Sequence, residues 1–184
     1  YGVQLVVRSS INNSEGTLVK EETKMEKMLV SGVASDRNTA RISVIGLEDQ
    51  PGVAFKLFNH LARHDVNVDI ILQSVGRDGT KDISFTVNED DLEEAVATLE
   101  RHRQGSLKCQ EIDVERDVAK VSIVGAGMMS HAGVAAKMFE ALYDVGVNIK
   151  MISTSEIRVT VLIDDIHVEK AMNAVHEKFF ASQL

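Results

Sequence analysis

The chain repeats itself, and that limits its fold more than any other feature. With Gly52 set on Gly133, GVAFKLFNHLARHDVNVDIILQS lies over GVAAKMFEALYDVGVNIKMISTS without a gap, and ten of twenty-three positions are identical. Average composition would give roughly one or two. Whatever one copy folds into, the other must fold into as well.

Each copy opens with a short apolar strand, RISVIG at 41–46 and KVSIVG at 120–125, followed by a loop and a helix. The helical stripes are Ala54, Leu57, Phe58, Leu61 and Ala135, Met138, Phe139, Leu142, spaced three and four apart as a one-sided core contact requires. A strand (VNVDIILQS, VNIKMISTS), a second strand (KDISFTV, EIRVTVLI) and a second amphipathic helix near 90–103 and 165–179 complete the pattern. The first hairpin carries the turn signal Gly76-Arg77-Asp78-Gly79, and the second closes tightly around Ser155-Glu156. This is the order of a ferredoxin-like βαββαβ module, an α+β unit with both helices on one sheet face. The first copy has a final strand available at about 107–114, whereas the second runs out of chain at Leu184. A surplus apolar stretch, MLVSGVAS at 28–35, precedes the first copy. It is expected to cross over and complete the second sheet, interlocking the modules. The boundaries that follow are 1–27 for a leading segment, 37–115 for the first module, and 28–36 plus 116–184 for the second.

Net charge of −8 argues against nucleic acid or an anionic membrane as partner. No apolar run approaches the ~20 residues of a membrane span, and no signal-peptide pattern opens the chain, so a cytoplasmic location is expected. The single cysteine, Cys109 in LKCQEIDV, reads as a small buried core residue, not a reactive thiol. His60 and His64 are four apart on the first helix but have no third ligand nearby, so no metal is expected and they read as a solvated edge. Gly125-Ala126-Gly127 after a strand imitates a dinucleotide-binding turn, but the sister loop GLEDQPG has no Gly-x-Gly. The glycines instead suit a tight strand-to-helix turn whose backbone N–H groups face a small anionic ligand. No phosphate loop, Ser-His-Asp arrangement or metal cluster is visible, and residues 9–25 read as an extended or mobile connector.

Strict alternation would put Asn67, Asp69 and Gln73 on one face of the strand after the first helix, with Val66, Val68, Ile70 and Leu72 on the core face. Such polar groups beside a helix N-terminus suit either an amino-acid clamp or a plain solvated sheet face.

The loop-helix entries EDQPGVAFKLF and MMSHAGVAAKMF, the strand ends VNVDIILQS and VNIKMISTSEIRVTV, and VSGVASDRNTARISV resemble the paired ACT domains of bacterial aspartate kinase, the allosteric region that senses lysine or threonine. The likeness runs from about 28 to 180. YGVQLVVRSSINNSEGTLV is similar to the last strand and exit segment of that enzyme's kinase domain, so 1–27 is read as its tail and linker. The chain opens on Tyr1, not methionine, and is read as part of a longer enzyme or of its regulatory subunit. The resemblance implies an effector pocket of Asp49, Gly52, Ala54 and Gln73, with Asn148 and Ile149 from a second module facing them. A pseudo-equivalent pocket would use Met129, Ser130, His131, Gly133 and Val134 with Asn67 and Val68. Here the sequence departs from the family pattern: Ala132 stands where proline is common, and Thr154 takes the place of Gln73 across the repeat. His131 reads equally as a ligand contact or a loop residue. Partners implied are a second copy of the chain, the aspartate kinase catalytic domain or subunit (the ATP-dependent phosphotransferase acting on L-aspartate), and a free amino acid. Lysine and threonine stay open, since Glu48 and Asp49 suit an ammonium and Gln73 a hydroxyl. No catalytic residue and no cofactor is expected in this chain. Competing readings are a constitutive oligomerisation module and, more remotely, a dinucleotide-dependent enzyme.

Overall fold

The structure, a computed structural model, describes residues 5–8, 11, 17–19, 30–76, 79–126 and 131–181. A small antiparallel pair, β1 (Leu5–Val7) and β2 (Thr17–Val19), comes first. The connector expected over 9–25 therefore contains a paired strand, and most of its remainder lies outside the described residues. Next come β3 (Gly32–Asp36), β4 (Ala40–Glu48), α1 (Val53–Ala62), β5 (Val68–Val75), β6 (Thr80–Val87), α2 (Leu92–His102) and β7 (Glu111–Glu115). The second half contributes β8 (Val118–Val124), α3 (Val134–Asp144), β9 (Met151–Thr154), β10 (Arg158–Asp164) and α4 (Val168–Phe180).

Two four-stranded antiparallel sheets result, ordered β5-β6-β4-β7 and β9-β10-β8-β3. In each module the first strand lies between its third and fourth, the ferredoxin-like arrangement. The repeat arithmetic is resolved as expected. β3 pairs with β8 from Gly32↔Val124 to Asp36↔Lys120 and takes the fourth place in the second sheet.

Alternation explains the cores. On β4, Ile42 and Val44 are fully buried beneath α1 and α2, joined by Leu57, Leu61, Phe85, Leu92 and Leu99. On β8, Val121 and Ile123 meet Met138, Leu142, Val161, Ala171 and Val175 in the same way. Cys109 is buried in the first core, and burial pushes its thiol pKa up, as an inert core residue requires. Both α1 and α3 are entered through a glycine in the left-handed region, Gly52 at φ 91° and Gly133 at φ 94°. A side chain there would be strained, so the aligned glycines are conformational necessities.

Two strands depart from simple alternation: β4, where the pairing with β6 steps from Val44↔Ile83 to Leu47↔Lys81, and β5, whose departure matters more for the site. In the β5–β6 ladder the register steps from Val68↔Val87 to Ile71↔Phe85, so three residues of β5 span two of β6. This bulge reverses the phase of the strand. Val68 faces the first core, whereas Ile70 emerges on the opposite sheet face, in a separate cluster with Val118, Met151 and Leu162 of the second module. Leu72 is 38% exposed and not core. Gln73, opposite the core residue Ile83, lies on the helix side and no longer shares a face with Asp69. The expectation from alternation fails because a bulge adds a residue without leaving a mark in the hydrophobic pattern.

Candidate functional site

The α1 entry and the far end of β5 enclose an open depression of about 490 Å³. Asp49, Gly52, Ala54 and Gln73 all line it, as do Phe55 and Lys81. Three local causes bring them together. Gly52 turns the chain sharply into α1, whose first turn holds no acidic residue and receives no side-chain cap. Val53 N–H donates to the Gln50 carbonyl at 3.4 Å, and the remaining first-turn N–H groups and the helix dipole favour an anion, such as a carboxylate. The bulge in β5 then swings Gln73 onto the same side.

Charge in the depression is already balanced: Lys81 Nζ stands 3.5 Å from Asp49 Oδ1, with only 21% of the lysine side chain exposed. Glu48 does not line the depression. It is taken by Lys108 at 3.3 Å and accepts a hydrogen bond from Gln50 Nε2 at 3.0 Å. The sequence reading missed Lys81 and Phe55. A signal for the first exists, because Lys81 continues the inward-facing series Ile83, Phe85, Val87 on β6, and a charge in that series marks an open end of the core.

Asn148 and Ile149 do not line this depression. They lie just ahead of β9 in the second module, Asn148 exposed and Ile149 partly buried against that module's core. Asn67 and Val68 occupy the equivalent place at the start of β5, Asn67 exposed and Val68 partly buried. Gly133 and Val134 open α3, and His131 lies exposed just before them. Met129 and Ser130 fall outside the described residues. Each expected pocket would thus need a helix entry of one module and a strand entry of the other, which this chain does not bring together among its described residues.

The sheet edges nearby are open. Among the described residues β5 pairs only with β6, and β9 only with β10. Along these edges Ile71 is 50%, Val75 73% and Ile152 41% exposed, with Phe55 of α1 at 71%. An exposed apolar edge strand is a template for pairing with another chain.

His60 on α1 and His64, which falls in the turn just after α1 and not on the helix as expected, are more engaged than a solvated edge. His60 stacks on His102 with ring centroids 3.6 Å apart and has Ser106 Oγ 2.9 Å from Nε2, while His64 Nδ1 lies 2.8 Å from Glu94. Burial first, and then His102, Arg63 and His64, lower the His60 pKa. Among the described residues no group of three or more His, Cys, Asp or Glu could hold a metal, and no helix is long and apolar enough to cross a membrane.

The family model for the ACT domain matches residues 42–102 and 121–179, the two repeats. Aspartokinase from Helicobacter pylori is 45% identical over 186 residues, spanning 98% of this chain and 45% of that protein. A crystal structure of aspartokinase alpha and beta subunits matches with a TM-score of 0.77 and 45% identity, covering 82% of this chain and 98% of that one. The ligand-free regulatory subunit of aspartate kinase from Thermus thermophilus matches with a TM-score of 0.77 and 43% identity, covering 82% of this chain and 99% of that one. The chain spans under half the length of the curated aspartokinases it matches. With both repeats matched and the order of both sheets accounted for, this chain belongs to the ACT-domain family, in the tandem form of the aspartate kinase regulatory region.

Proposed function

We propose that this chain is the amino-acid-sensing regulatory region of an aspartate kinase, and that a free amino acid of the aspartate family binds where the first module of one chain meets the second module of a two-fold partner. The observation that carries this reading is the depression at the α1 entry. A helix N-terminus with no side-chain cap suits an α-carboxylate, and Gln73 stands across from it with no second wall supplied by the described residues. Asn148 and Ile149 from a partner would close the seam, and the open β5 and β9 edges give that partner a place to pair.

Between the two effectors, the charge balance favours threonine. Lys81 already neutralises Asp49, so the ammonium of a lysine side chain would have to displace it, whereas a hydroxyl needs only the Gln73 amide. The equivalent seam at the α3 entry, with Asn67 and Val68, is proposed as the second site. Ligand bound across two chains strengthens their association, and association strengthens binding. A coupling of roughly 1–3 kcal/mol to the kinase is enough for strong feedback inhibition. The kinase domain or subunit is the proposed partner, residues 1–27 are proposed as its tail and linker, and the cytoplasm is the proposed location.

Calorimetric titration with threonine and lysine tests the reading. Saturable heat with threonine, lost in Gln73→Ala, supports it. Silence for both amino acids from a chain that still dimerises through its sheet edges would favour a constitutive assembly module.

A further inference from the structure

The modules meet through the outer faces of their sheets, and the contact is built twice. At its centre Ile70 packs with Val118, Met151 and Leu162, none more than 6% exposed. On one flank Lys120 of β8 reaches Asp36 at 2.9 Å and Asp69 at 2.7 Å. On the other, Arg41 of β4 pairs with Glu115 at 3.1 Å, and Glu115 also takes Lys150. These are equivalent positions. Asp36 faces Lys120 in the β3–β8 ladder as Glu115 faces Arg41 in the β7–β4 ladder, and Asp69 aligns with Lys150 in the repeat. Only the third member changes sign, an acid reaching from β5 and a lysine reaching from the start of β9.

The acid is placed where it matters. Asp69 and Ile70 are the bulge of β5. The Ile70 amide donates to Thr86 Oγ1 at 3.1 Å, which holds the bulge from within its own module. Lys120, with only 12% of its side chain exposed, holds it from the other module. Without the bulge the strand would keep its original phase, and Gln73 would emerge on the opposite face, away from the α1 entry.

We propose that Lys120 of the second module is a positioning residue for the depression of the first: by gripping Asp69 it fixes the β5 bulge and so the face on which Gln73 is presented. The two halves of the chain are then coupled through one strand, and loosening the module contact disorganises a pocket that Lys120 never touches. The pocket's use for an amino acid rests on the function proposed above. The clasp itself does not.

The test uses the full chain and four variants: Lys120→Met, Asp69→Asn, their double, and Lys120→Arg. Two readouts are taken, amide exchange of residues 68–75 without ligand and calorimetric affinity for threonine. Each single variant should speed exchange around the bulge and weaken threonine binding by about tenfold, and the double should be no worse than the worse single, because the two side chains act as one unit. Lys120→Arg should restore both. Unchanged exchange across β5 in both singles, or fully additive losses in the double, would overturn the proposal. If the unaltered chain takes up no threonine, the sensing function fails and the exchange data alone decide the clasp.

Discussion

Replacing Ile70 with alanine is the most direct probe of how β5 is set between the modules. By alternation from Val66 and Val68 the side chain would belong to the first core. The structure instead places it, 6% exposed, in the four-residue cluster against Val118, Met151 and Leu162. The substitution deletes three carbons, worth roughly 2.4 kcal/mol at about 0.8 kcal/mol per buried methylene-sized group, plus a small cavity term. For a chain of this size that corresponds to a fall in Tm of about 5–10 °C. Urea unfolding of monomeric protein measures it, with Leu72→Ala as the control. Under the alternation reading the two residues are alike. With the bulge, Leu72→Ala should cost under about 1 kcal/mol, since its side chain is 38% exposed. A cost for Ile70→Ala within about 0.5 kcal/mol, the range of an exposed site, would refute the bulge and the module contact together.

Acidification should destabilise the α1–α2 contact. The His60 pKa lies below its unfolded value, so the unfolded chain binds more protons and stability falls as pH drops from about 7 through 6.5 toward the folded value. Tm measured across that window should flatten in His60→Gln, and an unchanged slope would contradict the stacked pair. Gly46→Ala should cost at least about 1–2 kcal/mol in urea unfolding, since left-handed backbone penalises a side chain. At φ +73° its Cβ would also fall 2.8 Å from Gln110 Cβ, whose backbone is tied by its amide to the Ile45 carbonyl at 2.8 Å. A neutral result would show that this bulge within β4 relaxes freely. Leu72→Lys puts a charge beside the open β5 edge and should weaken chain–chain association by about tenfold or more in sedimentation equilibrium. Unaltered association would place the pairing surface elsewhere.

Much of the fold was legible because it is carried by repetition and by counting. The aligned Gly52 and Gly133 mark two helix entries that share nearly the same backbone conformation. The surplus apolar stretch before β4 was enough to place β3 in the second sheet, where it pairs with β8. Side-chain periodicity sufficed for α1 and α3, where Leu57, Leu61, Met138 and Leu142 lie buried. The pattern failed where backbone geometry, and not composition, decides. A bulge at Asp69-Ile70 changes which face every later residue of β5 occupies. The short strand at Thr17–Val19 lies among polar and charged neighbours that read as a connector. Four members of the first candidate pocket were legible and do meet in one depression, while Lys81 was not singled out. The module clasp was hidden for a different reason. Lys120, Asp36 and Asp69 are far apart in the chain, and nothing local in a lysine or an aspartate names its partner.

In the function proposed above, two copies of this chain hold an amino acid between unlike modules. Sedimentation velocity at a protein concentration near the dissociation constant of the dimer, with and without saturating threonine, tests it most directly. Threonine should shift the chain from monomer to dimer, with less effect from lysine and none in Gln73→Ala. A chain that binds threonine yet sediments as a monomer throughout would contradict it.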